Sequence, residues 1–230
     1  VRAWDWPTRV FHWALAFCIL SAWISFRYAE MFGDNTLVWH RWNGYAILVL
    51  LVFRLIWGFV GSSTSRWRSF VRWPWHAARY GLDLMRGRDR HYLGHNPLGT
   101  YMILALLGVA TVQAALGLFT VEHNDVSWGP LYRLVSEETY KVITKWHVWA
   151  FYWVILPLIA LHITVNILYG AVRKDPLVRA MVTGTKPRRH YDDADEADIV
   201  PGTGTRALIS LTAAIMIVFG SIVALGGKII

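Results

Sequence analysis

His147 and His162 stand fifteen residues apart in the apolar run W-H-V-W-A-F-Y-W-V-I-L-P-L-I-A-L-H. On an α-helix, fifteen residues rise about 22 Å and return to within about 60° of the same face. The hydrocarbon core of a bilayer is about 30 Å thick, so one helix would offer an imidazole near each membrane surface. Polar side chains at that depth are costly and usually functional. Imidazole is a common axial ligand of haem iron, and two such groups stacked across a membrane imply two haems. His12, in Arg9-Val10-Phe11-His12-Trp13, and His40, in H-R-W-N-G-Y-A, begin two further apolar runs. Zinc fits less well, because a two-histidine site lacks the usual four ligands.

The elements that must carry these histidines are membrane spans. By hydropathy and length the chain predicts five: Val10–Tyr28, Trp39–Val60, Pro97–Phe119, Tyr140–Val172 and Arg206–Leu225. The fourth is longer than one crossing needs, and Pro157 inside it should kink it. The first run lacks a small-residue cleavage site and is expected to be a retained span. Hydrophobic residues make up 55% of the chain, which decides for a membrane over nucleic acid as the reason for the net charge of +8. Fourteen Trp fit the membrane–water interface, where the ring is buried and its N–H stays wet. Cys18 is the only cysteine, which excludes an internal disulfide, an iron–sulfur cluster and covalent C-x-x-C-H attachment; any haem is held non-covalently.

Orientation follows from bases near the span ends. The second-to-third loop holds Arg66, Arg68, Arg72, Arg79, Arg86, Arg88 and Arg90, and the fourth-to-fifth loop is also basic around Arg173–Arg189. Both belong in the cytoplasm, which puts the N-terminal end inside and the C-terminal end outside. Helix direction then gives each histidine a depth. His12 and His162 lie at the inner side, His40 and His147 at the outer. Two bis-histidine sites follow, His12 with His162 and His40 with His147. Arg9, Arg41 and Arg54 are the cations near them, candidates to pair with anionic haem propionates. Gln113 and Asn166 are placed to hydrogen-bond between helices. His76, His91, His95, His123 and His190 read as ordinary loop residues. Residues 67–80 interleave Trp and Arg and predict an amphipathic helix on the inner surface. The stretch from Asp192 to Asp198, followed by Pro201-Gly202, reads as a solvated, flexible linker within 187–205.

Several stretches, in order, resemble the bacterial cytochrome b561 family of di-haem membrane cytochromes. They are Arg9-Val10-Phe11-His12-Trp13, H-R-W-N-G-Y-A from His40, F-R-L-I-W-G-F-V-G-S from Phe53, G-H-N-P-L-G from Gly94, V-S-E-E-T from Val135 and L-V-R-A-M-V-T-G from Leu177. The family is similar to the b-type cytochrome subunit of nickel–iron hydrogenases. The resemblance implies axial ligation by His12, His40, His147 and His162, two haem b groups, and electron passage between a periplasmic redox partner and membrane quinone. One departure stands out: the family spaces the histidines of its fourth helix by fourteen residues. A fifteenth rotates His162 by about 100° unless a local bulge absorbs it.

The expected architecture is therefore an all-α membrane protein, a four-helix transmembrane bundle holding two b haems plus a fifth peripheral helix. Residues 1–186 form the di-haem domain, 187–205 the linker and 206–230 the C-terminal span. The expected location is the bacterial inner membrane. The expected partners are lipid, quinone and a periplasmic cytochrome or oxidoreductase, with oligomeric state open and no nucleic acid. The chain would be an electron-transfer protein or a subunit of a quinone-linked oxidoreductase. The nearest alternative is the cytochrome b anchor of a nickel–iron hydrogenase; a remoter one is a non-haem transporter or structural anchor. The longest external loop, Thr120–Trp146, mixes Glu122, Asp125, Glu137 and Glu138 with Arg133, Lys141 and Lys145, a surface suited to weak docking.

Overall fold

The computed structural model describes residues 1–32, 35–88, 90–122 and 127–229. Five of its helical segments are long and apolar enough to cross a membrane. They are α1 (Trp6–Arg27), the Leu37–Val60 part of α3 (Asn35–Val60), α6 (Pro97–Gly117), the continuous stretch Glu137–Arg173, and α10 (Thr203–Ala224). These are the five spans expected, within a few residues at each end. A short α2 (Ala29–Phe32) lies between the first two.

Local chemistry sets the helix starts. Asp5 precedes α1 and its Oδ1 accepts the Thr8 N–H at 2.9 Å, with Pro7 in the first turn. Asn96 precedes α6 and accepts the Gly99 N–H at 2.7 Å. Ser136 accepts from Thr139 ahead of α7 (Glu137–Ala150), where Glu137 and Glu138 sit favourably in the first turn. Between α7 and α8 (Leu156–Arg173) runs a single π turn, Phe151–Ile155. The sequence leaves open whether the fifteenth residue rotates His162 or is absorbed by a bulge; a π turn adds one residue to a helix and is such a bulge.

The expected inner-surface helix is broken in two, α4 (Trp67–Phe70) and α5 (Pro74–Met85). Pro74 explains the break, since its ring disfavours helical backbone at Trp73 while suiting the first turn of α5.

The chain forms two compact units. The first comprises Val1–Val10, Leu55–Leu107 and Leu158–Leu208. Its centre is the buried Asp5 carboxylate, whose Oδ2 accepts from Trp57 Nε1 at 3.1 Å and from the Ser62 N–H at 3.2 Å. Residues 1–4 pair with the far end of the sequence. Ala3 and Trp4 N–H groups donate to the Gly184 carbonyl at 2.8 and 3.1 Å, and the Ala197 N–H donates to Arg2 at 2.9 Å. Gly184 ends α9 (Leu177–Thr183) with φ +81°, and a Cβ there would stand 3.0 Å from the Trp4 carbonyl oxygen.

The acidic stretch corrects the linker expectation. Its backbone is irregular, but it is packed. Asp193 accepts the N–H groups of Leu93 and Gly94 at 2.6 and 2.9 Å. Tyr191 and Ala197 are buried with Ala3, Trp4, Leu93 and Ala180. Apolar residues spaced among the acids, and loop amides in need of an acceptor, account for the docking. Nearby, Lys186 is buried with Nζ 3.2 Å from Asp175 Oδ2 and donating to the Tyr92 carbonyl. Burial pulls the Lys186 ammonium below its ordinary value, and Asp175 opposes that shift.

The second unit comprises Phe11–Arg54, Gly108–Pro157 and Ile209–Ile230. Within it, Asn43 of α3 donates to Ser21 of α1 at 3.0 Å. Tyr45 of α3 meets Phe219 of α10 edge-on at 5.6 Å. A hairpin pairs β1 (Val121–Glu122) with β2 (Ser127–Trp128), and Thr144 of α7 accepts the Val121 N–H at 3.1 Å. His123 and Asp125 lie outside the described residues.

Candidate functional site

His40 opens on a cavity inside the second unit. The ring faces His147 at 6.2 Å between ring centres, with the planes at 83°. Imidazole nitrogens bond a metal at about 2 Å, so two rings on opposite sides of one metal have centres about 6 Å apart. Each ring is oriented by a main-chain carbonyl. His40 Nδ1 donates to Ala22 of α1 at 2.8 Å, and His147 Nδ1 donates to Gln113 of α6 at 3.0 Å. Protonation at Nδ1 leaves Nε2 as the free lone pair on both rings, the tautomer a metal ligand needs.

The space between them is shaped for a flat apolar group. The cavity is partly open to the outside. Phe26, Ile47, Phe151 and Ile155 supply apolar walls, and Ala22, Ala110 and Ala114 keep them thin. Gly44 follows His40 by one helical turn and lines the same cavity; a Cβ built there meets nothing within 4 Å. A missing side chain one turn from a histidine leaves room for the close approach of a flat group. The residues therefore fit a bis-histidine haem.

The other expected residues are placed as follows. His12 lies in α1 of the second unit, edge-on to Trp13 at 5.0 Å. His162 lies in α8 of the first unit, where Asn166, one turn on, approaches its Nδ1 at 3.3 Å and donates to its carbonyl at 2.6 Å. Arg9 Nη1 donates to the Val182 carbonyl at 2.6 Å, in the last turn of α9, where a cation suits the helix dipole. Arg41 Nη1 donates to the Trp128 carbonyl at 3.4 Å. Arg9 and Arg41 each keep a buried Nε without a hydrogen bond among the described residues. Arg54 is buried within α3.

Three contributors were not singled out for the site in the sequence: Ala22, Gly44 and Gly117. Ala22 acts through its carbonyl, which leaves no mark on residue type. Gly44 carries a readable signal, a glycine one turn after a candidate ligand histidine. Gly117 is legible only once α6 and α7 are seen together, because a Cβ there would stand 3.2 Å from His147 Cε1.

Five helices long and apolar enough to cross a membrane, with a pair of facing imidazoles on an apolar cavity, define a class, the multi-helix membrane proteins. The sequence model of prokaryotic cytochrome b561 matches residues 3–184, and the chain belongs to that family. It is thus a b-type membrane cytochrome, and the family implies haem b. Similar proteins include the probable Ni/Fe-hydrogenase 1 B-type cytochrome subunit of Escherichia coli (strain K12), 24% identical over 212 residues, covering 80% of this chain and 89% of that one. The probable Ni/Fe-hydrogenase B-type cytochrome subunit of Rhizobium leguminosarum bv. viciae is 23% identical over 225 residues, covering 84% and 91%. Its counterpart in Azotobacter vinelandii is 24% identical over 216 residues, covering 80% and 87%. No solved structure matches.

Proposed function

We propose that this protein carries electrons across a bacterial inner membrane between a periplasmic redox partner and the quinone pool, through two b haems. The observation that carries the reading is the His40–His147 pair, 6.2 Å apart across an apolar cavity with both Nδ1 atoms tied to carbonyls. Bound there, haem b supplies a one-electron centre. The chain's own contribution is to fix two neutral imidazoles, exclude water and offer cations to the propionates. Arg41 is the proposed cation at this outer site. His12 and His162 are the proposed inner ligands, with Arg9 and Arg54 as cations; this second pairing rests on depth along the helices alone.

A dithionite-reduced spectrum with a haem-to-protein ratio tests the reading. Two b haems per chain are expected. His40→Ala and His147→Ala should delete one spectral component, and His12→Ala and His162→Ala the other. A wild-type chain without b-type bands would sink it, and with it any haem function over a transporter or bare anchor.

The orientation rests on the arginine-rich second-to-third and fourth-to-fifth loops. A periplasm-only reporter fused after Ile230 should be active; activity of a cytoplasm-only reporter there would reverse the assignment. The curated relatives favour a second reading of the partner, a nickel–iron hydrogenase, since each is named as a cytochrome subunit of one. Copurification of a hydrogenase with the tagged chain decides between the two partners.

A further inference from the structure

Gln113 and His147 hold each other by two reciprocal contacts. The Gln113 side-chain Nε2 donates to the His147 carbonyl at 2.8 Å. The Gln113 carbonyl accepts from His147 Nδ1 at 3.0 Å. One contact fixes the main chain of His147 and the other fixes its ring, so neither can move without disturbing the other. Resting on the functional reading above, we propose that Gln113 is the positioning residue of the outer haem ligand, setting the ring angle and electron donation of His147.

Three further features agree. The His147 carbonyl also accepts the N–H of Phe151, the first residue of the π turn. Gln113 therefore anchors α7 at the last α-helical turn before the helix widens, where the main chain is least constrained by its own ladder. Gly117, one turn along α6, leaves the ring just enough room: a Cβ would stand 3.2 Å from His147 Cε1 and 3.7 Å from Nδ1. The 113–117 turn of α6 is thus moulded round the imidazole from both ends. Finally, Gln113 lines the cavity, and its Oε1 is buried without a hydrogen bond among the described residues. Holding a buried amide oxygen unsatisfied costs stability, and it is tolerated here because the same amide's Nε2 is committed to His147.

The chemistry follows from the donated proton. An imidazole whose Nδ1–H is held by a carbonyl is a stronger electron donor through Nε2 and favours the oxidised iron. That carbonyl is main-chain and stays in any side-chain variant at 113; removing the Nε2–H frees the His147 main chain and so misaligns the Nδ1–H bond. The outer haem should then become easier to reduce, and its ring planes should reorient.

Gln113→Met fills the same volume without a donor, and Gln113→Leu removes the Nε2–H with a shorter, branched side chain. Both are compared with wild type by pyridine haemochrome count, haem-resolved potentiometric titration and low-spin EPR. Both variants should retain the inner haem. The outer haem should be held about 10- to 100-fold more weakly, the usual loss for a ligand's supporting hydrogen bond. What remains should show a raised midpoint potential and altered EPR g-values. Unchanged potential and g-values in a variant that binds two haems would overturn the assignment. Loss of both haems in both variants would also overturn it, by making Gln113 a residue of the general fold. A wild-type chain that binds no haem would instead refute the functional reading on which the proposal rests.

Discussion

At the scale of single residues, the cavity between His40 and His147 is shaped by what is absent as much as by what is present. Gly44 leaves open space one turn from His40, and the three alanines on the cavity wall leave more. Gly44→Phe should fill that space with an apolar ring that the membrane helix tolerates. The expected result is a folded protein that keeps the inner haem and loses the outer one, so the haem count falls from about two per chain to about one. Retention of both haems in Gly44→Phe would show that the cavity is not the binding site. The histidines themselves were legible from sequence, because a polar ring in an apolar run is conspicuous. The groups that orient them were not. Main-chain carbonyls of Ala22 and Gln113 accept the ring Nδ1–H groups, and a carbonyl leaves no mark on residue type.

At the scale of elements, the helix from Glu137 to Arg173 carries most of the information. Its length, its histidines and Pro157 were all readable, and the departure from a fourteen-residue spacing left two outcomes, a rotated His162 or a bulge between the histidines. The place of the bulge was not readable, because a π turn is chosen by packing around it rather than by the local sequence. Deleting Trp153 should convert Phe151–Ile155 to plain α-helix and restore the fourteen-residue spacing. Both haems are then expected to persist. Deleting Ile159 instead leaves the π turn in place and rotates His162 by about 100°, so the inner haem should be lost while the outer survives. Equal haem content in the two deletion variants would show that the π turn does not set the register. The broken α4–α5 segment gives a contrasting lesson: amphipathic patterning marked the region, and Pro74 in the same sequence carried the signal for the break.

At the scale of the whole molecule, the five spans were legible because hydropathy integrates over some twenty residues and forgives local error. The packing of the acidic stretch was hidden, since charge density alone argues for solvent and the matching amides of Leu93 and Gly94 are main-chain groups. That packing also bears on the order of biosynthesis. Residues 1–4 find their backbone partners at Gly184, Lys186 and Ala197, nearly two hundred residues downstream. A ribosome delivers residues in sequence, so this segment is secured only by residues made much later. On hydropathy alone α1 is able to enter a bilayer before those contacts exist. The closing contacts form only after the fourth span has been threaded and the acidic stretch has emerged. Assembly of this layer is accordingly a late event with a high loop-closure cost, and the family-matched region ending at residue 184 is completed by the thirteen residues that follow it.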